Sequence, residues 1–381
     1  MEASGLCPEL DFVKTTDSRD RSKKTLRPDI SIYWRQPGEK RNSERGLDFK
    51  ALDVWVENKN KGDDIFRTLT ELKQDEEKDG DLESHVRWTN AAYKICGQLI
   101  AYATALHHSQ FRVFSFAVVL FGEKGRLLRW DRSGVIYTEA FQWKTQPNTL
   151  FEFIWRLNFL SPVDRGYDTT VTPVMVDDDE AKAARSMLMA YGGWEKDNNL
   201  EMANLYRFLV HDDRDVDGKL RCYITSGAVW HTNALFGRCT FGYIAYDVAT
   251  SKLVYLKDFW RTDLPRIQKE GDVYRKLHDA NVPNIPALGP AGDVPTSPDH
   301  ADKFPLVVQR TKTQDYVKKS ANKDVLLTRG EWCPGRPCVE PYVHYRLVLE
   351  TLGQPLNTFK STRQLCEVIR DAIVGKKYRS L

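Results

Sequence analysis

Alternation of apolar and polar positions dominates the first part of the chain. Residues 28–34 (PDISIYW) form a short β-type run. A charged loop, residues 36–45, leads to LDVWVENK at residues 52–59. There the alternation puts Val54 and Val56 on one face and Asp53, Trp55, Glu57 and Lys59 on the other. Residues 61–84 are charge-rich, largely acidic over 71–83, and predict a solvated loop or an exposed helix. Over residues 85–107 the rhythm changes. Trp88, Ala91, Ala92, Ile95, Leu99, Tyr102 and Leu106 recur at three- and four-residue steps, which predicts a long helix. Gln98 and Tyr102 lie one turn apart on it and project together. Strand patterns at 111–121, 126–130 and 135–138, separated by glycine turns, predict an antiparallel meander. This part therefore reads as mixed α/β.

Residues 151–160 are apolar and aromatic and read as the last element of that domain. Ser161-Pro162, residues 168–173 and the acidic run 177–180 read as a linker, and residues 180–190 as a helix stopped by Gly192-Gly193. Strands resume near residue 220. A glycine-punctuated strand (Gly237, Gly242) then enters a polar turn at 249–252. A second apolar strand ends on Lys257, and a helix-patterned piece carrying Glu270 follows. That order suits the holding of nucleotide phosphates. Glycines let backbone N–H groups approach an anion, the lysine supplies a point charge, and the glutamate keeps the lysine aimed. The expected organisation is a loose N-terminus over 1–25, an α/β domain over 26–165, a linker and helix over 166–200, and a second domain over 201–381.

Composition narrows the classes. The 381 residues are 41% hydrophobic and 11% aromatic, enough for two globular cores. A net charge of +3 argues for neither a nucleic-acid coat nor an anionic membrane partner. No run approaches the roughly 18 apolar residues of a membrane span, and the charged N-terminus lacks a signal-peptide core. The chain is expected inside the cell, in cytoplasm or nucleus. Seven scattered cysteines fit reduced thiols. The close pair Cys333 and Cys338, with no second pair nearby, reads as two loop thiols rather than a zinc site.

Two sets of polar residues carry candidate chemistry. In the first half, Asp29 and Glu57 end adjacent strands, Lys59 sits two residues on, and Gln98 and Tyr102 share the following helix. Two carboxylates can hold Mg²⁺, which can polarise a phosphodiester and activate water while the lysine steadies developing charge. The order Pro28-Asp29 … Glu57-x-Lys59 … Gln98-x-x-x-Tyr102 resembles the PD-(D/E)XK nuclease superfamily over about residues 26–140. That resemblance implies a restriction-endonuclease-like mixed sheet with helices. Asp29 and Glu57 would bind metal, Lys59 would be catalytic, and Gln98 and Tyr102 would orient the site. The same residues also read as a surface ion pair beside a groove, or as an inactive fold kept for docking.

In the second half, GRCTFGYI at 237–244 looks like the glycine-rich loop of protein kinases, with Cys239 at the second glycine. LVYLKDFWR, HYRLVLETLGQPL and RQLCEVIRDAI together resemble the fungal-type protein kinase family, over about residues 200–381. The resemblance implies a kinase small lobe, a five-stranded antiparallel sheet plus αC helix, and the start of a helical large lobe. Lys257 would pair the nucleotide phosphates, Glu270 would hold Lys257, and Gly237 and Gly242 would shape the phosphate lid. Leu349 would be the gatekeeper, and Glu350 to Leu352 would offer backbone to an adenine. Cys239 departs from the pattern, and neither His-Arg-Asp nor Asp-Phe-Gly follows. The expectation is therefore ATP binding that is weak or lost, without kinase turnover, and an amphipathic helix at 361–377 left partly exposed or docked elsewhere. Two alternatives stay open: a Mg²⁺-dependent nuclease in the first half, and a non-catalytic interaction module. Nucleotide and an unidentified protein are the expected partners, with nucleic acid only under the nuclease alternative and no membrane.

Overall fold

The strand patterns resolve into two separate sheets in the computed structural model. It describes residues 5–16, 26–35, 38–40, 42, 45–68, 86–87, 89–191, 204–215, 217–302, 305–320, 339–354 and 356–376. The acidic stretch 71–83, His85, Trp88, Cys333 and Cys338 lie outside the described residues. The chain divides into two units, each assembled from three stretches. Unit 1 comprises Met1–Asp168, Asn233–Gly237 and Arg310–Tyr342; unit 2 comprises Thr169–Thr232, Arg238–Gln309 and Val343–Leu381.

Unit 1 is a mixed sheet with helices. Its strands are β1 (Leu10–Lys14), β2 (Ile30–Trp34), β3 (Leu52–Lys59), β4 (Ser115–Phe121), β5 (Lys124–Asp131), β6 (Gly134–Tyr137) and β7 (Phe141–Gln142). They run in the order β1-β2-β3-β4-β5-β6, with β7 beside β5. Only β3 and β4 pair in parallel among these. A parallel pair needs a crossover, and helix α1 (Asn90–Ser109) supplies it. Thr89 caps α1 by accepting the Ala92 N–H at 3.1 Å. The alternation of β3 holds in the packing. Trp55 faces Leu99, Tyr102 and Leu106 of α1 in one core. Val54 and Val56 meet Ile154 and Leu157 of helix α2 (Asn148–Phe159) in another. Each fully buried leucine here contributes about 1.5–3 kcal/mol.

Residues 10–14, expected to be loose, form β1 paired with β2. The reason is burial: Leu10 and Val13 are 0% and 2% exposed. In LDFVK the intervening acid hides the strand rhythm, because Asp11 is itself buried.

Unit 2 begins with β8 (Val171–Pro173), α3 (Asp179–Tyr191), β9 (Tyr206–Val210), β10 (Arg221–Thr225) and β11 (Ala228–His231). It continues with β12 (Phe241–Asp247), β13 (Lys252–Thr262), α4 (Glu270–Asp279) and β14 (Leu288–Asp293). Helix α5 (Thr313–Ser320) falls in unit 1, after which β15 (Tyr342–Leu349) and α6 (Thr362–Lys376) complete unit 2. Among the described residues this sheet has eight strands, not the five expected, in the order β14-β15-β13-β12-β10-β9-β8 with β11 also on β12. The extra strands come partly from the supposed linker, since β8 pairs with β9. Its helix also belongs to the unit: Ala181, Ala184 and Leu188 of α3 pack on Ile224, Ile244 and Tyr246. The broad class stands as mixed α and β with two sheets. On α6, Val368, Ile369 and Ile373 are exposed. Among the described residues no helix is long and apolar enough to cross a membrane.

Candidate functional site

In unit 2 the candidate nucleotide residues are set by strand register. Lys257 lies inside β13, opposite Gly242 of β12. Tyr255, Lys257 and Phe259 alternate onto one face of β13. Phe259 is buried there with Tyr345 and Leu347 of β15, and Tyr255 and Tyr274 pack against them. Glu270 is the first residue of α4, and its carboxylate meets Lys257 Nζ at 2.6 and 2.8 Å. Both side chains keep about a quarter of their surface open, 23% and 26%. The lysine is thus aimed by two charge-assisted hydrogen bonds and still reaches solvent.

The glycines separate. Gly242 sits within β12, and a Cβ there would meet the Tyr255 hydroxyl at 2.1 Å, so the bare backbone makes room for that ring. Gly237 has φ +88° and belongs to unit 1, where its N–H donates to the Arg132 carbonyl at 2.8 Å. Gly237 and residues 238–240, expected within the glycine-punctuated strand, lie outside any strand; β12 starts at Phe241. Cys239 takes φ +40°, a conformation a glycine adopts freely, and its side chain is buried. Leu349 is buried at the end of β15. Beyond it the Glu350 N–H donates to the Ala287 carbonyl at 2.9 Å, and Leu352 packs against the Ile224–Tyr246 cluster.

Two features of this site have no counterpart in the sequence reading. Arg238 Nη2 lies 3.1 Å from Glu270, so the carboxylate serves two cations. Lys269, just before α4, places Nζ 2.7 Å from both Asp213 and Asp293, and Arg261 grips Asp293 at 2.6 and 2.9 Å. Burial pushes the Asp213 carboxyl up, but the His211 ring, Lys269 and the Asp293 N–H outweigh it and hold the group down at about 2. This network fixes the start of the helix that carries Glu270. Local pattern could not reveal it, because its members come from three remote stretches. Arg238 was hidden because its place depends on the loop conformation around Cys239.

In unit 1 the other set converges. Lys59 Nζ lies 2.6 Å from Glu57 Oε1 and 2.8 Å from Gln98 Oε1. Gln98 Nε2 donates to Glu57 Oε1 at 2.9 Å and to the Tyr102 hydroxyl at 2.7 Å. Tyr102 donates in turn to the Arg27 carbonyl at 2.8 Å. Asp29, the residue before β2, accepts the Asn58 N–H at 2.7 Å. Glu57 is 3% exposed, and its Oε2 has no hydrogen-bond partner. Burial pushes its carboxyl up, more than Lys59 pulls it down, and the Asp29 charge adds to the rise. Asp53, expected on the same face, is tied instead to Arg112 at 3.1 Å and Arg165 at 2.9 Å. The β2–β3 register shifts between Ile32 and Tyr33, beside it. Among the described residues no group of three or more His, Cys, Asp or Glu side chains is placed to hold a metal ion.

No curated protein and no solved structure matches the chain. A family model does, the one described as fungal protein kinase, over residues 53–381. The match spans most of both units. The chain belongs to the fungal protein kinase family.

Proposed function

We propose that unit 2 grips the phosphates of ATP through Lys257, with Glu270 as the group that aims it. The observation carrying this reading is the Lys257–Glu270 pair, closed at 2.6 Å yet partly open to solvent. A buried pair would be structural; a fully exposed one would wander, since surface ion pairs contribute little. This one sits over the Phe259 ring, with the lysine Nζ 4.7 Å from its centroid. The ring and the carboxylate together restrict the ammonium, and Glu270 takes two of its three donors. ATP-induced melting shifts test the reading. Wild type should show a shift, and Lys257→Met should abolish it. An equal shift in both proteins would dismiss Lys257 as the phosphate ligand.

A second reading concerns unit 1. The unpartnered Oε2 of buried Glu57 favours it, because an orphaned buried carboxylate oxygen is costly unless something visits it. Glu57 and Asp29 would hold a divalent ion such as Mg²⁺, which would supply Lewis acidity toward a phosphodiester. Lys59 is positioned to steady negative charge, and Gln98 fixes both Glu57 and Lys59. Mg²⁺ titration followed by melting, with a nuclease gel on wild type and Glu57→Ala, tests this. Identical behaviour of the two proteins sinks it.

A further inference from the structure

The charge count beside Lys257 is unbalanced. Lys257 and Arg238 bring two positive charges to Glu270, which returns one negative. Both cations sit over the same Phe259 ring, Lys257 Nζ at 4.7 Å and Arg238 Cζ at 4.8 Å from its centroid. The backbone of Arg238 is pinned, since its carbonyl accepts the Trp260 N–H at 2.8 Å. Its side chain is nonetheless 55% exposed. A lysine offers three N–H donors and an arginine five. Glu270 takes two from Lys257 and one from Arg238. The remaining donors are not taken by Glu270, and the local count keeps a surplus positive charge. A guanidinium and an ammonium on the same anion give fork and point-charge contacts together, which suits neighbouring phosphates of a chain.

We propose that Arg238 is a second phosphate-binding residue, so that the site takes a nucleoside di- or triphosphate through two cationic side chains and does not depend on a bound divalent ion to do so. The inference rests on the nucleotide-binding reading of Lys257. It adds a ligand class, free polyphosphate, and a residue to that site.

Calorimetric titration of the full chain in EDTA tests it, with ATP, inorganic tripolyphosphate and adenosine as probes. Wild type should bind ATP and tripolyphosphate in EDTA as tightly as in Mg²⁺. Arg238→Gln should weaken both by about tenfold, the loss of one charge-assisted contact, and leave adenosine unchanged. Arg238→Lys should restore part of the loss, which separates charge from folding. If Arg238→Gln binds tripolyphosphate like wild type while Lys257→Met does not, this proposal falls and the Lys257 reading stands. If wild type binds ATP only when Mg²⁺ is present, the two-cation account falls. If wild type binds none of the three probes, the nucleotide reading falls and this inference with it.

Discussion

Single side chains already set opposing demands in this molecule. Glu57 is buried, and its carboxyl lies above the usual carboxylate range because burial outweighs Lys59. The folded chain therefore binds this proton more tightly than the unfolded chain. Stability from this group is full in acid and falls as pH rises from the ordinary carboxyl range through the raised folded value. Glu57→Gln should accordingly melt higher than wild type at pH 7, with the gap closing toward pH 4. A wild type that melts higher at pH 7 would show that the Lys59 and Gln98 contacts outweigh burial. Such a gain on removal is the pattern of a residue kept for function rather than stability. Gly242 makes the opposite demand. Its missing Cβ leaves room for the Tyr255 ring, whose Cζ as well as hydroxyl would lie within 3 Å of a methyl. Gly242→Ala should cost about 1–3 kcal/mol by overpacking, read by urea unfolding, and Tyr255→Leu in the same chain should recover most of it.

At the scale of elements, the start of α4 is the controlling point. Glu270 reaches Lys257 from the first turn of that helix, and Lys269 anchors the turn to Asp213 and Asp293. Asp213 is held at about 2 against an ordinary value of 3.8. Its charged form thus stabilises the fold by about 2 kcal/mol, present above the ordinary carboxyl range and lost as pH falls through about 2. Asp213→Asn should lose about that much at pH 7 in chemical unfolding, with the deficit vanishing in strong acid. An unchanged stability at pH 7 would mean that Lys269 and Asp293 hold the helix alone. Much at this scale was legible in sequence. The alternation of residues 52–59 put Glu57 and Lys59 on one shared face, and the four-residue step joined Gln98 to Tyr102. Lys257 and Glu270 were legible as a strand lysine and a helix acid. What was not legible depended on tertiary neighbours. Asp213, Asp293 and Lys269 have no local signature, and β8 was masked by the prolines and acids that read as a linker.

At the scale of the whole molecule, each unit is built from three separate stretches of chain. Linear domain boundaries could not show this, because Leu235 and Phe236 fall inside the stretch 201–381 that read as the second domain. They are instead components of unit 1. Leu235 is 3% exposed within the core that holds Trp55, Leu99 and Trp130, and Phe236 stacks on Trp130 at 6.3 Å. Arg132 fastens the segment, donating to the Leu235 carbonyl at 3.2 Å and accepting the Gly237 N–H. A later stretch is tied in the same way. Asp131 accepts the Lys312 and Thr313 N–H groups at 2.8 and 3.1 Å, and the Thr313 hydroxyl at 2.8 Å. Unit 1 should therefore depend on residues far beyond position 168. In the full chain, Leu235→Ala removes a buried side chain from its core and should cost it about 2–5 kcal/mol. Tryptophan fluorescence during urea unfolding reads the loss, since Trp55 and Trp130 both lie in that core. The stringent comparison is a fragment ending at residue 168, which lacks both Leu235 and the partners of Asp131. It should unfold at lower urea than the same signal in the full chain. Equal midpoints would show that the first 168 residues hold their sheet without the two returning segments, and that these segments ride on a core already complete.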